Sequence, residues 1–301
     1  MHRCEDPGLV PPVLAWYAAS ARDLPWRSPD RTAWGVLVSE VMLQQTPVSR
    51  VLPVWRDWLR RWPAPADLAA EPAGEAVRAW GRLGYPRRAL RLHRAAQQVV
   101  ERHGGRVPDD LEALRALDGV GAYTAAAVAT FAFGQRHAVV DTNVRRVLAR
   151  AVEGRALPSP ALTAAEQRAA GALVPADPST AASWAVAVME LGAVLCTARA
   201  PRCADCPVAD RCAWRRAGAP PYDGPPRRGQ AWHGTDRQVR GRLLAVLRAA
   251  EEPVNGRDLL AAVPDGGDPQ QRTRALASLV ADGLAEAGPL GYALPGRAPA
   301  R

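Results

Sequence analysis

Four cysteines crowd into seventeen residues with the spacing Cys196-x6-Cys203-x2-Cys206-x5-Cys212. Thiolates on so short a segment wrap one compact centre, and that centre restricts how the surrounding chain can run. A zinc ribbon needs two Cys-x2-Cys knuckles held well apart, and this segment has one. An iron–sulfur cube is larger than a zinc ion and suits a single wrapping loop. Zinc, or thiols with no ligand, are the alternatives that spacing alone leaves open. The fifth cysteine, Cys4, stands apart from the group. A disulfide framework is out of place in a 301-residue chain with no basic-then-apolar signal sequence at its start. Arg199, Arg202, Arg211, Arg215 and Arg216 stud the loop, so a metal-stiffened segment would present positive charge to a phosphate backbone.

The rest of the first 225 residues reads as helix. Apolar residues recur at helical spacing over Thr32–Val41, Val48–Arg61, Glu75–Leu83, Arg87–Arg102, Leu111–Leu117, Ala122–Phe133, Thr142–Ala151, Thr163–Leu173 and Pro178–Leu195. Pro and Gly punctuate between these stretches, and period-two alternation is almost absent. The expected class is all-α. The longest apolar run, Trp184 to Cys196, is too short to span a membrane and carries Glu190. A cytoplasmic monomer without a membrane partner is expected. A Pro/Gly-rich linker is expected over 221–235. Beyond it, helices over Arg237–Ala249, Gly256–Val263 and Gln270–Asp282, then a hairpin around Gly288-Pro289, suggest a small winged-helix-like domain over 236–301.

Charge points to a polyanionic partner. Thirty-nine basic residues against thirty acidic ones give +9. The chain has no Lys and no Ile, as GC-rich coding produces, so the preference for Arg carries no message of its own. Six Arg and no acid lie between Glu75 and Glu101, and eleven Arg face eight acids over 226–301. Each such run, taken alone, is most simply a solvated helix face.

Three local patterns carry chemistry. Leu117-Asp118-Gly119-Val120-Gly121-Ala122-Tyr123-Thr124 joins two helical stretches. Gly119 and Gly121 allow a tight turn whose amides open the next helix, which is either a plain turn or a grip for DNA phosphates. Asp141, in Val140-Asp141-Thr142-Asn143-Val144, is either a helix N-cap or a carboxylate returned beside bound DNA. Glu40 stands among Val38, Val41 and Met42. It is either a surface acid or a buried one whose pKa is raised toward a general acid's range.

Together these residues resemble the helix-hairpin-helix DNA glycosylase superfamily, and within it the MutY-type adenine glycosylases, over residues 10–220. The resemblance rests on Leu24-Pro25-Trp26-Arg27, Ser39-Glu40-Val41-Met42-Leu43-Gln44-Gln45-Thr46, Gly84-Tyr85, the glycine hairpin, the Asp141 stretch and the cysteine spacing. It implies a 4Fe–4S cluster on Cys196, Cys203, Cys206 and Cys212. It implies a six-helix barrel domain over 30–135 and an iron–sulfur helical domain from 1–29 and 136–220. The partner it implies is duplex DNA carrying adenine opposite 8-oxoguanine or guanine, on the nucleoid. Base excision would make Glu40 the acid at adenine N7 and Asp141 the stabiliser or nucleophile at the sugar, oriented by Asn143 and Tyr123. Leu24, Trp26 and Arg27 would line the adenine pocket. Gln45 and Tyr85 would wedge the duplex, with Thr46 and Leu83 against the opposite base.

Strand-cleaving relatives carry a Lys where Tyr123 stands, and a phenol forms no Schiff base, so a monofunctional enzyme is expected. The alternatives are a thymine/uracil mismatch glycosylase on the same scaffold and a non-catalytic iron–sulfur DNA-binding protein. Glu40 argues against the first, because protonating N7 is purine chemistry; a binding protein needs neither carboxylate. The chain departs from the family in four places. The residues after the linker show no Nudix-like Gly-x5-Glu pattern. Val186 replaces a Gln or Glu, Asp118 replaces Pro, and Pro86 replaces a second Tyr. A chain ending near Pro225 is expected to retain fold, cluster and base release.

Overall fold

The computed structural model describes residues 8–224, 234–263 and 269–296. Cys4 and most of the expected linker lie outside the described residues. Among the described residues the helices are α1 (Val10–Ser20), α2 (Ala33–Leu43), α3 (Val48–Arg61), α4 (Pro65–Ala69), α5 (Ala73–Trp80) and α6 (Arg87–His103). Next come α7 (Leu111–Arg115), α8 (Ala122–Phe133), α9 (Thr142–Ala151), α10 (Ala164–Ala172), α11 (Pro178–Val194) and α12 (Ala213–Arg216). The tail contributes α13 (Asp236–Ala249), α14 (Gly256–Ala261), α15 (Pro269–Ala281) and a hairpin of β1 (Glu286–Gly288) and β2 (Gly291–Ala293). The all-α expectation holds, and none of the described helices is long and apolar enough to cross a membrane.

Helix boundaries follow local chemistry. Asp141, Thr163, Asp177, Thr235 and Asn255 cap α9, α10, α11, α13 and α14 through side-chain oxygens. Thr163 and Glu166 close a capping box. Gly104 and Gly134 end α6 and α8 in the left-handed region.

Contacts group the chain into two compact units. One comprises Met1–Leu37, Asp109–Arg115 and Val120–Pro226, the other Val38–Pro108, Ala116–Gly119 and Arg227–Arg301. In the first, α1 and α9 pack on α11. Their core is Leu9, Val13, Val144, Leu148, Trp184, Val188 and Leu191. Cys196, Cys206 and Cys212 lie half-buried against it. Helix α8 also packs on α11 and on α7, so residues 120–135 group with the cysteine-bearing part. In the second unit α4 and α5 pack on α6, and Trp58 meets Trp62 and Trp80 edge-on at 4.7 and 5.8 Å between ring centroids.

The tail has the expected three helices and hairpin. Val254 adds a third short strand by exchanging 2.9 Å hydrogen bonds with Tyr292. It belongs to the second unit and is locked into it. Gly74 N donates to Pro295 O at 2.7 Å. Arg248 Nε donates to Val77 O at 2.9 Å. Arg78 reaches back to the carbonyls of Arg248 and Ala250, and Arg87 pairs with Asp282 at 3.1 Å. Burial lowers the Arg248 pKa to about 10, so it stays charged at neutral pH. These bonds make the tail part of a folded unit, and a chain cut near Pro225 would strip them from α5 and α6.

Gly74 shows how close the fit is. A Cβ there would meet Pro295 O at 2.7 Å and Leu294 Cβ at 2.8 Å. Gly74→Ala should cost about 1–3 kcal/mol by overpacking. It should lower the melting temperature by a few degrees in calorimetry. An unchanged melting temperature would show that the tail is not locked at this point.

Candidate active site

Glu40 lies in the last half of α2, one of the most apolar segments of the chain, and is only 6% exposed. Leu37, Val38 and Met42 around it are fully buried and Val41 nearly so. The surface alternative therefore falls.

The chain leaves α2 through a backbone position of positive φ, and a second lies in the loop before α6. Gln45 has φ 55° and Tyr85, in the facing loop, φ 46°. Neither is glycine, so each holds a sparsely populated conformation that the surroundings must enforce. Arg88 enforces it. Its Nη1 donates to Val41 O (2.8 Å), Met42 O (3.2 Å) and Gln44 O (2.6 Å). Its Nη2 donates to Thr46 Oγ1 and Gly84 O, each at 3.1 Å. Thr46 Oγ1 in turn donates to Leu83 O at 3.2 Å. Two of these acceptors are carbonyls at the end of α2 that no further helical turn satisfies. Gln45 and Tyr85 are left exposed, Tyr85 by 48%, while Thr46 and Leu83 are buried beneath them. Arg88, which sequence reasoning counted only as one of an arginine run, thus sets the two loops that carry the expected wedge.

In the other unit Asp141 is both an N-cap and a half-buried carboxylate. Oδ1 accepts from Val144 N and Oδ2 from Asn143 Nδ2, both at 2.7 Å. Burial pushes its pKa above the ordinary carboxylate value, although these bonds and the Arg146 charge pull the other way. Asn143 Oδ1 accepts from Arg146 Nη2 at 2.8 Å. Arg146 continues to Gly192 O and Cys196 O, each at 2.7 Å. Gly192 is obligatory for this approach of α9 to α11, since a Cβ would lie 2.7 Å from Asn143 O. Tyr123 sits in the first turn of α8 and packs against Ala127, Val139 and Ala185.

The two hairpin glycines differ. Gly119 has φ 77°, and a Cβ there would lie 2.9 Å from Arg91 Cβ, so no other residue fits. Gly121 is the N-cap of α8 and faces open space. It leaves the helix N-terminus accessible to an anion. Asp118, where the family has Pro, is pinned by Arg94 Nε at 2.6 Å and by Gln98.

Leu24 and Trp26 are each 5% exposed. Arg27 pairs at 2.9 Å with Glu190, which is wholly buried, and Arg22 holds the same carboxylate at 2.6 and 2.7 Å. Burial alone would raise the Glu190 pKa, but the two arginines hold it below the usual carboxylate range. Tyr17 lies beside Arg27, 5.9 Å from its guanidinium carbon to the ring centroid. Sequence reasoning noted Glu190 only as a break in an apolar run; partners about 165 residues away gave no local signal. Val186 is half-buried one turn earlier on α11.

The four thiols suit a cluster. None is in a disulfide, and Cys206 feels the charge of the other three. Burial, reinforced by those neighbours, raises the Cys206 pKa to about 11. Burial raises Cys196 as well, so cationic iron is what would hold these sulfurs as thiolates. Arg150 supports the loop. It donates to Cys196 Sγ at 3.3 Å and Thr197 O at 2.7 Å, with its guanidinium 4.8 Å from the Trp214 ring centre. Among the described residues no three such side chains are grouped to hold one metal ion, an arrangement that a cluster with one iron per thiolate does not require.

Comparison with known proteins agrees with this geometry. Residues 38–169 match the HhH-GPD superfamily base excision DNA repair protein, and residues 196–212 match the iron-sulfur binding domain of endonuclease III. An adenine DNA glycosylase of Mycobacterium tuberculosis is 57% identical over 285 residues, covering 94% of this chain and 92% of its own. One of Mycolicibacterium smegmatis is 53% identical over 274 residues and 91% of each chain. A solved thermostable thymine-DNA glycosylase superposes with a TM-score of 0.61 at 28% identity, over 69% of this chain and 95% of that one. With an iron–sulfur-binding segment in the loop that follows α11, the chain belongs to the helix-hairpin-helix base excision repair superfamily and, within it, to the MutY-type adenine DNA glycosylases.

Proposed function

We propose that this protein is a monofunctional glycosylase that releases adenine opposite 8-oxoguanine or guanine in duplex DNA, as a monomer acting on the nucleoid in the cytoplasm. The observation that carries the proposal is Glu40, a carboxyl buried in an apolar helix that ends at the strained Gln45. Thymine release on the same scaffold has the support of a more distant relative, a thymine/uracil-DNA glycosylase 34% identical over 201 residues, but a buried acid has no basic N7 to protonate on a pyrimidine.

Tyr85 and Gln45 fill the space left when the adenosine is flipped from the stack. Leu24, Trp26 and Arg27 contact the base. The Glu40 carboxyl donates its proton to adenine N7. The C1′–N9 bond breaks, its electron pair leaves with the base, and the sugar becomes oxocarbenium-like. Asp141, ionised and oriented by Asn143 and Tyr123, stabilises or captures that cation. Water adds at C1′ and returns its proton to the Glu40 carboxylate. Cys196, Cys203, Cys206 and Cys212 would hold a 4Fe–4S cluster that stiffens their loop, and Arg199, Arg202, Arg211, Arg215 and Arg216 on that loop supply the positive charge for binding DNA.

Glu40→Gln and Asp141→Asn should each slow single-turnover adenine release by roughly 10²–10⁴-fold while DNA affinity holds. Near-normal rates in either would remove that carboxylate from the mechanism. The Asp141 pKa is raised in the folded state, so ionising it at neutral pH costs stability. Asn keeps the cap and sheds that cost. Asp141→Asn should therefore melt no lower than wild type at pH 7, and the acid limb of the wild-type rate profile should lie above the ordinary carboxylate value of 3.8. A limb at or below that value would contradict the burial account.

The purified protein should be brown with iron near four per chain; stoichiometric zinc without iron would overturn the cluster assignment. Product DNA should stay intact until alkali or heat is applied, since Tyr123 stands where an amine would attack and the chain holds no Lys. Efficient borohydride trapping of enzyme on DNA would contradict the monofunctional assignment.

A further inference from the structure

A cleft of about 1200 Å³ in the second unit is lined on one wall by residues 81–91 with Gln45 and Arg50, and on the other by α13 of the tail. Nine arginines line it against a single acid, Asp282. That acid is already neutralised by Arg87 and Arg240. Arg50, Arg82 and Arg91 make no ion pair among the described residues, and all three are exposed. So are Arg237 and Arg242 on the opposite wall. Between those two, Gly241 and Ala245 present a low floor, with open space beyond Gly241. Exposed guanidiniums on both walls thus face one cleft, which favours a polyanionic occupant.

We propose that the tail is a built-in clamp for duplex DNA, in which Arg237 and Arg242 of α13 grip backbone phosphates across the cleft from Arg82 and Arg91, beside the Gln45–Tyr85 wedge. This rests on the reading of the protein as an enzyme acting on duplex DNA. Guanidinium forks match phosphate geometry, and the exposed Tyr85 ring on the same cleft offers a stacking face that an acidic peptide would not need. The tail's own arrangement decides the kind of contact. In helix-turn-helix folds the later helix reads bases in the major groove. Here the cleft wall is α13, the first helix of the tail, while α15 turns Ala275, Leu276 and Leu279 into the core. The contact is therefore with the backbone and independent of sequence. The wall is fixed in place by the bonds of Arg78, Arg248 and Gly74 described above. The tail's modest net charge, eleven Arg against eight acids over 226–301, conceals four arginines gathered on α13.

The test uses the full-length protein and a duplex containing no target base, so that binding is scored apart from catalysis. The double variant Arg237→Ala/Arg242→Ala should flatten the slope of log Kd against log salt by nearly two and weaken binding roughly ten- to sixtyfold near 0.1 M salt. Arg82→Ala, from the facing wall, should flatten the slope by about one. Arg237→Lys/Arg242→Lys should keep most of the wild-type slope. Arg257→Ala, exposed on α14 outside the cleft, should match wild type. An unchanged slope in the double variant with an unchanged melting temperature would overturn the clamp. So would a loss confined to duplexes containing 8-oxoguanine, which would make the tail a reader of the base. Failure of the adenine assignment would show instead as absent base release by wild-type protein whose salt-dependent binding still responds to these variants.

Discussion

One buried guanidinium decides whether this molecule has a wedge at all. Arg88 is 7% exposed and spends its two terminal nitrogens on four carbonyls and one hydroxyl. Its ring contacts with Trp80 and Tyr85 add to the hold. Burial lowers its pKa to about 10, so it remains a cation at neutral pH. A buried charge without an acid nearby is tolerated only because so many oxygens face it. Those oxygens belong to the end of α2 and to the two loops carrying Gln45 and Tyr85. Strain at the two positive-φ positions is thus stored by a bond network, and α2, which carries Glu40, is anchored by the same network.

The other unit is organised on the same physical theme. Arginines satisfy carbonyls at helix ends and loops that would otherwise be orphaned. Arg146 joins Asn143 to the carbonyls of Gly192 and Cys196, and Arg150 ties the next two carbonyls and a thiol. The side chain that orients Asp141 is therefore bonded to the residue that also bonds the cysteine loop. Glu190 is the inverse case, a buried anion whose two arginines come from the segment after α1.

Much of this was legible in the chain. Helices α3, α8 and α9 run as their apolar spacing and caps predict, to the residue. Helix α1 is absent from the stretches that apolar spacing marks; it opens with Pro11 and Pro12 in its first turn, where Pro is compatible with a helix. The stretch expected to run to Leu83 stops at Trp80, because Gly81 takes φ 53°. Arg88 carried a signal that went unused. It shares one helical stripe with Leu92, Ala95, Ala96 and Val99, all buried. Other features had no local signature. The burial of Glu40 depends on what packs over α2, and the lock between Gly74 and Pro295 spans 221 positions. The Pro/Gly-rich segment said nothing about where the tail after it packs.

The identity of the released base tests the central claim most directly. Wild-type enzyme in excess should be mixed with duplexes differing only at one pair, 8-oxoguanine:A, G:A, G:T and G:U, and the free base identified by mass. A buried acid at N7 predicts adenine from the first two, with the strand left uncut, and no pyrimidine from the others. Release of thymine or uracil while both adenine duplexes stay inert would contradict the account.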